Sequence, residues 1–520
     1  MKKHFNMMKS LLALAVVSLI CSCTGEKENY LKVVPEDARV AFSVNLASLG
    51  KKADLANDLM VQSAMPMLLL SVDQENQEFA KEILDNPQKS GIDFTKPLVF
   101  AVGGDMANKK PEVVAVMAVD DKEALKKVVD TFGQKAGLGI TTKGDVVTVD
   151  FPQEGGSVAF DGTSLVLLVS QNRKAADLLD LPTNQQAIVC DPYFAPSIAG
   201  SADIASYVNC GTFFSMLPKD QLAQSGLSEE TMQLYKDKRA CSTTNFEDGK
   251  IVTETKAYGM EEVMAKAEQF QREMTGKHFD YLPESPAVVL SCATQLLAEQ
   301  LKQFSAEWQQ KVEDFFQQYE MTSADLNHIE GDITLAFLGM ENNLPQFFIA
   351  VDFNADSIKN NEERNAREYQ KVIESGMMKE VSKNVLVSTL PNLPMQFYCA
   401  LIDNTVYFMN ESMGRKMIKD GKIEKQASNF RSAALAKSLK KSGGLVIDFK
   451  QVANVVNPLM EKNNNRYQAQ VATALSKFDN MVVTADLGAT NGFMVIEMTD
   501  KSKNSLRQIV ELCEQLATGR

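Results

Sequence analysis

The chain has 520 residues, of which 45% are hydrophobic and 23% charged, with a formal net charge of −13. That acidic balance, with no stripe of clustered Lys and Arg, excludes a nucleic-acid partner and speaks against adhesion of the protein surface to anionic lipid. Length and apolar content are sufficient for about two to four domains with buried cores.

The chain opens with Lys2, Lys3 and Lys9 ahead of an apolar run from Leu11 to Ile20, the layout of an export signal over residues 1–22. The run is shorter than the roughly 20 residues of a membrane-spanning helix, and no apolar run of about 18 residues follows it. Ile20-Cys21-Ser22-Cys23 places a small residue directly before Cys23, whereas Cys21 follows bulky Ile20. This resembles the lipobox of bacterial lipoproteins, in which the cysteine after the cut is acylated. The resemblance implies lipidation at Cys23, an anchor in the membrane, and residence in the cell envelope. No aspartate follows Cys23 directly. By the same resemblance that points to the outer membrane, with the periplasmic and surface sides both open. Residues 23–28 are polar and read as a tether.

From residue 29 onward the sequence repeats itself. Val34-Pro35-Glu36 and Val40-Ala41-Phe42-Ser43 return as Leu282-Pro283-Glu284 and Val288-Val289-Leu290-Ser291, 248 residues later. The strand-like stretch Pro97–Gly103 with Pro111 returns as Asp332–Gly339 with Pro345, and Phe160-Asp161-Gly162 returns as Ile402-Asp403-Asn404. A hairpin turn at Asp248-Gly249 is matched to Asn491-Gly492. Landmarks in the same order indicate two homologous domains, residues 29–275 and 276–520. Within each, β-branched runs around Asp-Gly turns suggest antiparallel pairs, as around Asp248-Gly249. The fold class is therefore α+β, each domain a mostly antiparallel sheet with helices on one face.

Several segments read as helices. Leu297, Leu301, Phe304, Trp308, Val312 and Phe315 recur at steps of three and four, which predicts one amphipathic helix. Its stripe is suited either to core packing or to cradling a ligand, and core packing is the reading adopted. The counterpart lies within Lys51–Leu84, where Met65, Met67 and Leu68 to Leu70 read as core filling or a groove wall. Ser505–Leu516 parallels Glu261–Arg272 after each closing hairpin.

Catalytic motifs are scarce. There is no GxSxG elbow, HExxH or CxxC, and after the signal the chain holds His278 and His328 as its histidines. Asp120-Asp121 and Glu362-Glu363 read as helix starts rather than acid–base pairs. The cysteines beyond Cys23 are Cys190, Cys210, Cys241, Cys292, Cys399 and Cys513, scattered without metal-ligand spacing; an exported protein can form disulfides, and free cysteines buried as small hydrophobes are the favoured reading. No catalytic, metal or cofactor residue is assigned.

The signal, the duplicated halves and the Leu/Val-Pro-Glu entries of the two repeats resemble uncharacterised Bacteroidota lipoproteins, the family numbered 4836 among the domains of unknown function. The expected function is non-catalytic binding or structural support in the envelope, with a protein, peptide or glycan as ligand in a cleft between the halves. The alternative is an envelope hydrolase whose carboxylates are brought together by folding.

Overall fold

The computed structural model describes residues 28–518 except 71, 106–109, 136–137, 152–154, 182–187, 189–190, 215–227, 319–320, 343, 389–395, 411–412, 416–417, 420–421, 427–429, 431–434, 437–438, 440–442, 463–466 and 486–489. The expected signal, the lipidation residue Cys23 and the tether up to Lys27 lie outside the described residues, and a 3-10 turn begins at Glu28.

Among the described residues the first half contributes ten strands: β1 (Val40–Val44), β2 (Leu98–Asp105), β3 (Lys110–Ala118), β4 (Gly139–Lys143), β5 (Val146–Phe151), β6 (Gly156–Phe160), β7 (Ser164–Val169), β8 (Ile204–Asn209), β9 (Arg239–Glu247) and β10 (Lys250–Tyr258). Then follow β11 (Val288–Thr294), β12 (Ile329–Glu341), β13 (Leu344–Phe353), β14 (Met378–Ser382), β15 (Val385–Ser388), β16 (Phe397–Ile402) and β17 (Thr405–Asn410). A small separate hairpin, β18 (Ile418–Lys419) with β19 (Lys422–Ile423), precedes β20 (Gly443–Asp448), β21 (Phe478–Ala485) and β22 (Asn491–Met498).

Every pairing in the large sheet is antiparallel, and its order repeats. The first half runs β4-β5-β6-β7-β3-β2-β1-β8-β9-β10. The second runs β14-β15-β16-β17-β13-β12-β11-β20-β21-β22, the same path strand for strand. The two paths join where β10 pairs with β22, so the described residues form one continuous sheet of twenty strands. Glu254 pairs with Phe493, which is its own counterpart in the repeated register. A two-fold rotation relating antiparallel neighbours runs perpendicular to the sheet. It therefore leaves each face on its own side, and the same face is the inner one in both halves.

The helices used below are α1 (Leu46–Lys52), α2 (Leu59–Leu70), α3 (Lys122–Lys135), α4 (Ala175–Leu179), α5 (Phe194–Ile198), α6 (Glu229–Leu234), α7 (Glu261–Glu268), α8 (Leu297–Leu301), α9 (Ala306–Gln317), α10 (Glu362–Glu374) and α11 (Ser505–Thr518). In the first half, α4, α5 and the opening turn cover Ala41, Val99, Ala101, Val114, Val116, Val166 and Leu168, the buried face of the strands. A smaller cluster on the opposite face packs Leu125 of α3 against Val147, Phe160 and Leu165. In the second half, Phe279, Leu282, Phe430 and Leu439 close over Val289, Ala336, Phe348, Ala350 and Val446. The paired aromatic packing of Phe279 and Phe430, centroids 5.2 Å apart at 86°, is of the edge-to-face kind.

Four expectations are corrected. The predicted helix through Leu297–Phe315 is two helices, α8 and α9. Asn491-Gly492 is not a turn but the first two residues of β22, where Gly492 faces Ala485 of β21 and the two residues face Lys256 and Thr255 of β10. Met67 and Leu70 are 73% and 77% exposed, so this end of α2 fills no core. Of the five described cysteines, all unbonded, Cys241 is buried whereas Cys292 and Cys513 are exposed.

The halves also embrace beyond the seam. The Arg507 guanidinium of α11 donates to the buried Asp58 carboxylate at 2.7 Å and to the Ala53 carbonyl at 3.2 Å, both beside α1 and α2 of the first half. From the other side, Thr231 of α6 donates through its hydroxyl to the Gln303 carbonyl at 2.7 Å.

Candidate functional site

Two arrangements stand out, one open and one closed. The open one is a groove of about 610 Å³ along α8 and α9. All six residues of the predicted apolar stripe line it, joined by Phe316 and by Leu326. The stripe survives the break between the helices because Lys302 to Ser305 turn the backbone without shifting the apolar step. Ser305 caps α9 by accepting from the Trp308 N–H at 3.4 Å. Gln309 donates to the Phe304 carbonyl at 2.7 Å, and Ser228 and Thr231 of the first half both donate to Gln303, at 3.3 and 2.7 Å. The linker between the two helices is thereby pinned by the other half of the molecule.

The far end of the groove is equally fixed. Asn327 accepts from the Ala298 N–H at 2.9 Å, and Glu313 accepts from the Ser323 N–H at 2.9 Å. Asp325, hydrogen-bonded by Thr322 and paired with Arg364 of α10 at 2.8 Å, holds the 3-10 turn Ser323–His328 against α9. Burial raises the Asp325 pKa, but the Thr322 and Arg364 hydrogen bonds outweigh it and leave the carboxyl below its ordinary range. Within this frame Phe304, Trp308 and Phe315 remain 37%, 39% and 54% exposed. Three neighbouring aromatic side chains so exposed form a surface that water wets poorly. The stripe is a groove wall, and the core-packing expectation for it gives way.

The closed arrangement is centred on Asp352, at the end of β13. Its carboxylate accepts from His278 Nε2 at 3.0 Å, the Thr405 hydroxyl at 2.7 Å, Lys277 Nζ at 2.8 Å and the Asp332 N–H at 3.0 Å. Burial raises the pKa of this group, yet the His278 and Lys277 hydrogen bonds more than reverse that and lower it well below the usual carboxylate range. The ionised carboxylate only accepts, so Nε2 of His278 carries the proton. On its other side His278 Nδ1 meets the Thr334 hydroxyl at 3.1 Å, which meets the Ser291 hydroxyl at 2.9 Å. Neighbouring Asp332 accepts from the Thr275 and Gly276 N–H groups at 3.0 and 2.7 Å. Gly331, at φ +130°, sits where an added Cβ would lie 2.6 Å from the Asp352 Cβ, so the bulge that feeds this centre requires glycine.

Ser291, Thr334, His278 and Asp352 form a hydroxyl–imidazole–carboxylate chain, the order found in nucleophilic sites. Here Ser291, Thr334 and His278 are fully buried and Asp352 is nearly so, and Ser291 already donates to the Ile333 carbonyl at 3.1 Å. The chain ties the turn Lys277–Tyr281 to β11, β12, β13 and β17, which is structural work. Sequence reasoning named His278 without its partners, Thr334 and Asp352, which stand 56 and 74 residues away. The acid pairs Asp120-Asp121 and Glu362-Glu363 stand at helix starts, Asp121 accepting from the Glu123 and Ala124 N–H groups at 3.0 Å. Among the described residues no cluster of His, Cys, Asp and Glu has the geometry of a metal site, and no helix is long and apolar enough to cross a membrane.

A family described as Domain of unknown function (DUF4836) matches residues 30–506. The chain belongs to this family. The match spans both halves of the sheet, the groove and the Asp352 centre. No curated protein matches the chain. Among solved structures, crystal form IV of TP0453 covers 46% of this chain and 84% of its own at 12% identity, with a TM-score of 0.25. Crystal form I of TP0453 covers 44% and 77% at 12% identity and a TM-score of 0.23. Likeness at that level carries no argument about this member of the DUF4836 family.

Proposed function

We infer that the protein is a cell-envelope lipoprotein, anchored at Cys23, with a non-catalytic binding role exercised through the groove along α8 and α9. The observation that carries the reading is the exposure of Phe304, Trp308 and Phe315 in a groove whose backbone is clamped at both ends. Apolar surface of this kind, held rigid and open, is how ligand sites are ordinarily built. The expected cleft between halves is replaced by the β10–β22 seam, with the groove lying beside it and tied to α6. The division at residue 275/276, after α7, and the origin of the protein in a bacterial outer membrane belong to the same reading. Its support is the lipobox-like Ile20–Cys23 and the repeated strand order.

The test has two arms. Cys23→Ala should move the protein from the membrane to the soluble fraction of its native host, and persistence in the membrane would remove the anchor. Val312→Asp, which puts a charge in the groove wall, should abolish binding of an apolar fluorescent probe. Unchanged probe binding would remove the groove from the reading.

A further inference from the structure

The chemistry of the groove narrows what it takes. Eight of its ten lining residues are apolar, one is the amide Gln300, and one is charged, Lys311. Lys311 follows Trp308 by one turn of α9 and lines the groove with a side chain 61% exposed, at the rim rather than the floor. Its partner is Glu307, 2.7 Å away with both side chains more than half exposed, a pairing readily exchanged for another anion. The groove lining itself holds no carboxylate, so Glu307 is the group that an anionic head would displace. The volume of about 610 Å³ lies within the small-ligand range of about 300–1,000 Å³. Two turns of a docked helix about 10 Å across would fill roughly 850 Å³.

Resting on the reading that the groove is a binding site, we propose that it receives a single-chain amphiphile with an anionic carboxylate head, the chain against Phe304, Trp308 and Phe315 and the head at Lys311. Trp308 is the one tryptophan in the chain, so intrinsic fluorescence reports this groove directly. The experiment titrates the protein from Glu28 onward, which retains every described residue, with dodecanoate and with dodecyl maltoside below their micelle concentrations. Dodecanoate should shift the emission to the blue and saturate, binding up to about fivefold more tightly than the uncharged maltoside, the most that one exposed ion pair contributes. From octanoate to dodecanoate the affinity should rise up to about fourfold per methylene. Lys311→Gln, at an exposed position, should erase the difference between the two heads. Equal affinity of both probes, or a preference that survives Lys311→Gln, overturns the anionic head and leaves the groove reading standing. If neither probe moves the emission, the groove reading itself falls.

Discussion

The two halves of the sheet share one strand path but fill one position in it differently. Five residues before the repeated proline stand Tyr30 in the first half and His278 in the second. Opposite Ser43 the first half has Val99, and opposite Ser291 the second has Thr334. Ala118 faces Ser164 where Asp352 faces Thr405. Even the backbone conforms. The counterpart of Asp332, whose N–H donates to Asp352, is Pro97, which has no N–H to satisfy and instead accepts the Tyr30 hydroxyl at 3.0 Å. One fold thus tolerates an apolar plug or a charged network at the same place, provided each buried donor and acceptor is accounted for.

The widest gap between the halves should open with Asp352→Ala. It leaves His278, Lys277, Thr405 and the Asp332 N–H without their shared acceptor and should cost about 3–5 kcal/mol in chemical denaturation. A loss below about 1 kcal/mol would mean the network is ornamental.

Acid should act in the same direction. Folding lowers the Asp352 pKa below its unfolded value of about 3.9. That stabilisation is complete above the unfolded value and disappears as the pH falls through the folded one. Trp308 emission, which reads the second half, should therefore change at a higher pH than the far-ultraviolet signal of the whole chain. Coincident transitions would count against it.

Arg507→Ala removes the clasp between α11 and the first half and uncovers Asp58. About 2 kcal/mol should be lost, discounted for the partial exposure of the arginine. Limited proteolysis should then find α11, and protection equal to the native chain would show the clasp to be redundant. Tyr30→Phe deletes one hydrogen bond from the apolar plug and should cost about 1 kcal/mol. A cost matching that of Asp352→Ala would erase the distinction between the two centres.

The duplication was legible in the sequence because prolines and turns are set by backbone geometry and leave a local mark: Pro35 and Pro283, Pro111 and Pro345, and Asp403-Asn404, both at positive φ between β16 and β17. The strand order was not. The pairing of β1 with β8, or of β3 with β7 across helix and hairpin, depends on contacts remote in the chain. The Asp352 centre was hidden for the same reason, since its partners lie on four separate elements. The groove was half visible. Its stripe stood in the sequence, but periodicity states which side chains share a face and is silent on whether anything covers them. Ser305 was the missed signal, a good cap in the middle of an apolar stripe.

The pairing of Glu254 with Phe493 has a consequence for how the molecule can vary. Two separate subunits meeting along such a seam would assemble only above some concentration, and every substitution would occur in both at once. Carried on a single polypeptide, the partners are always together, and a mutation alters one side alone. That freedom is what allows an imidazole at 278 while a phenol remains at 30, and an aromatic trough at one end while the other copy changes on its own terms.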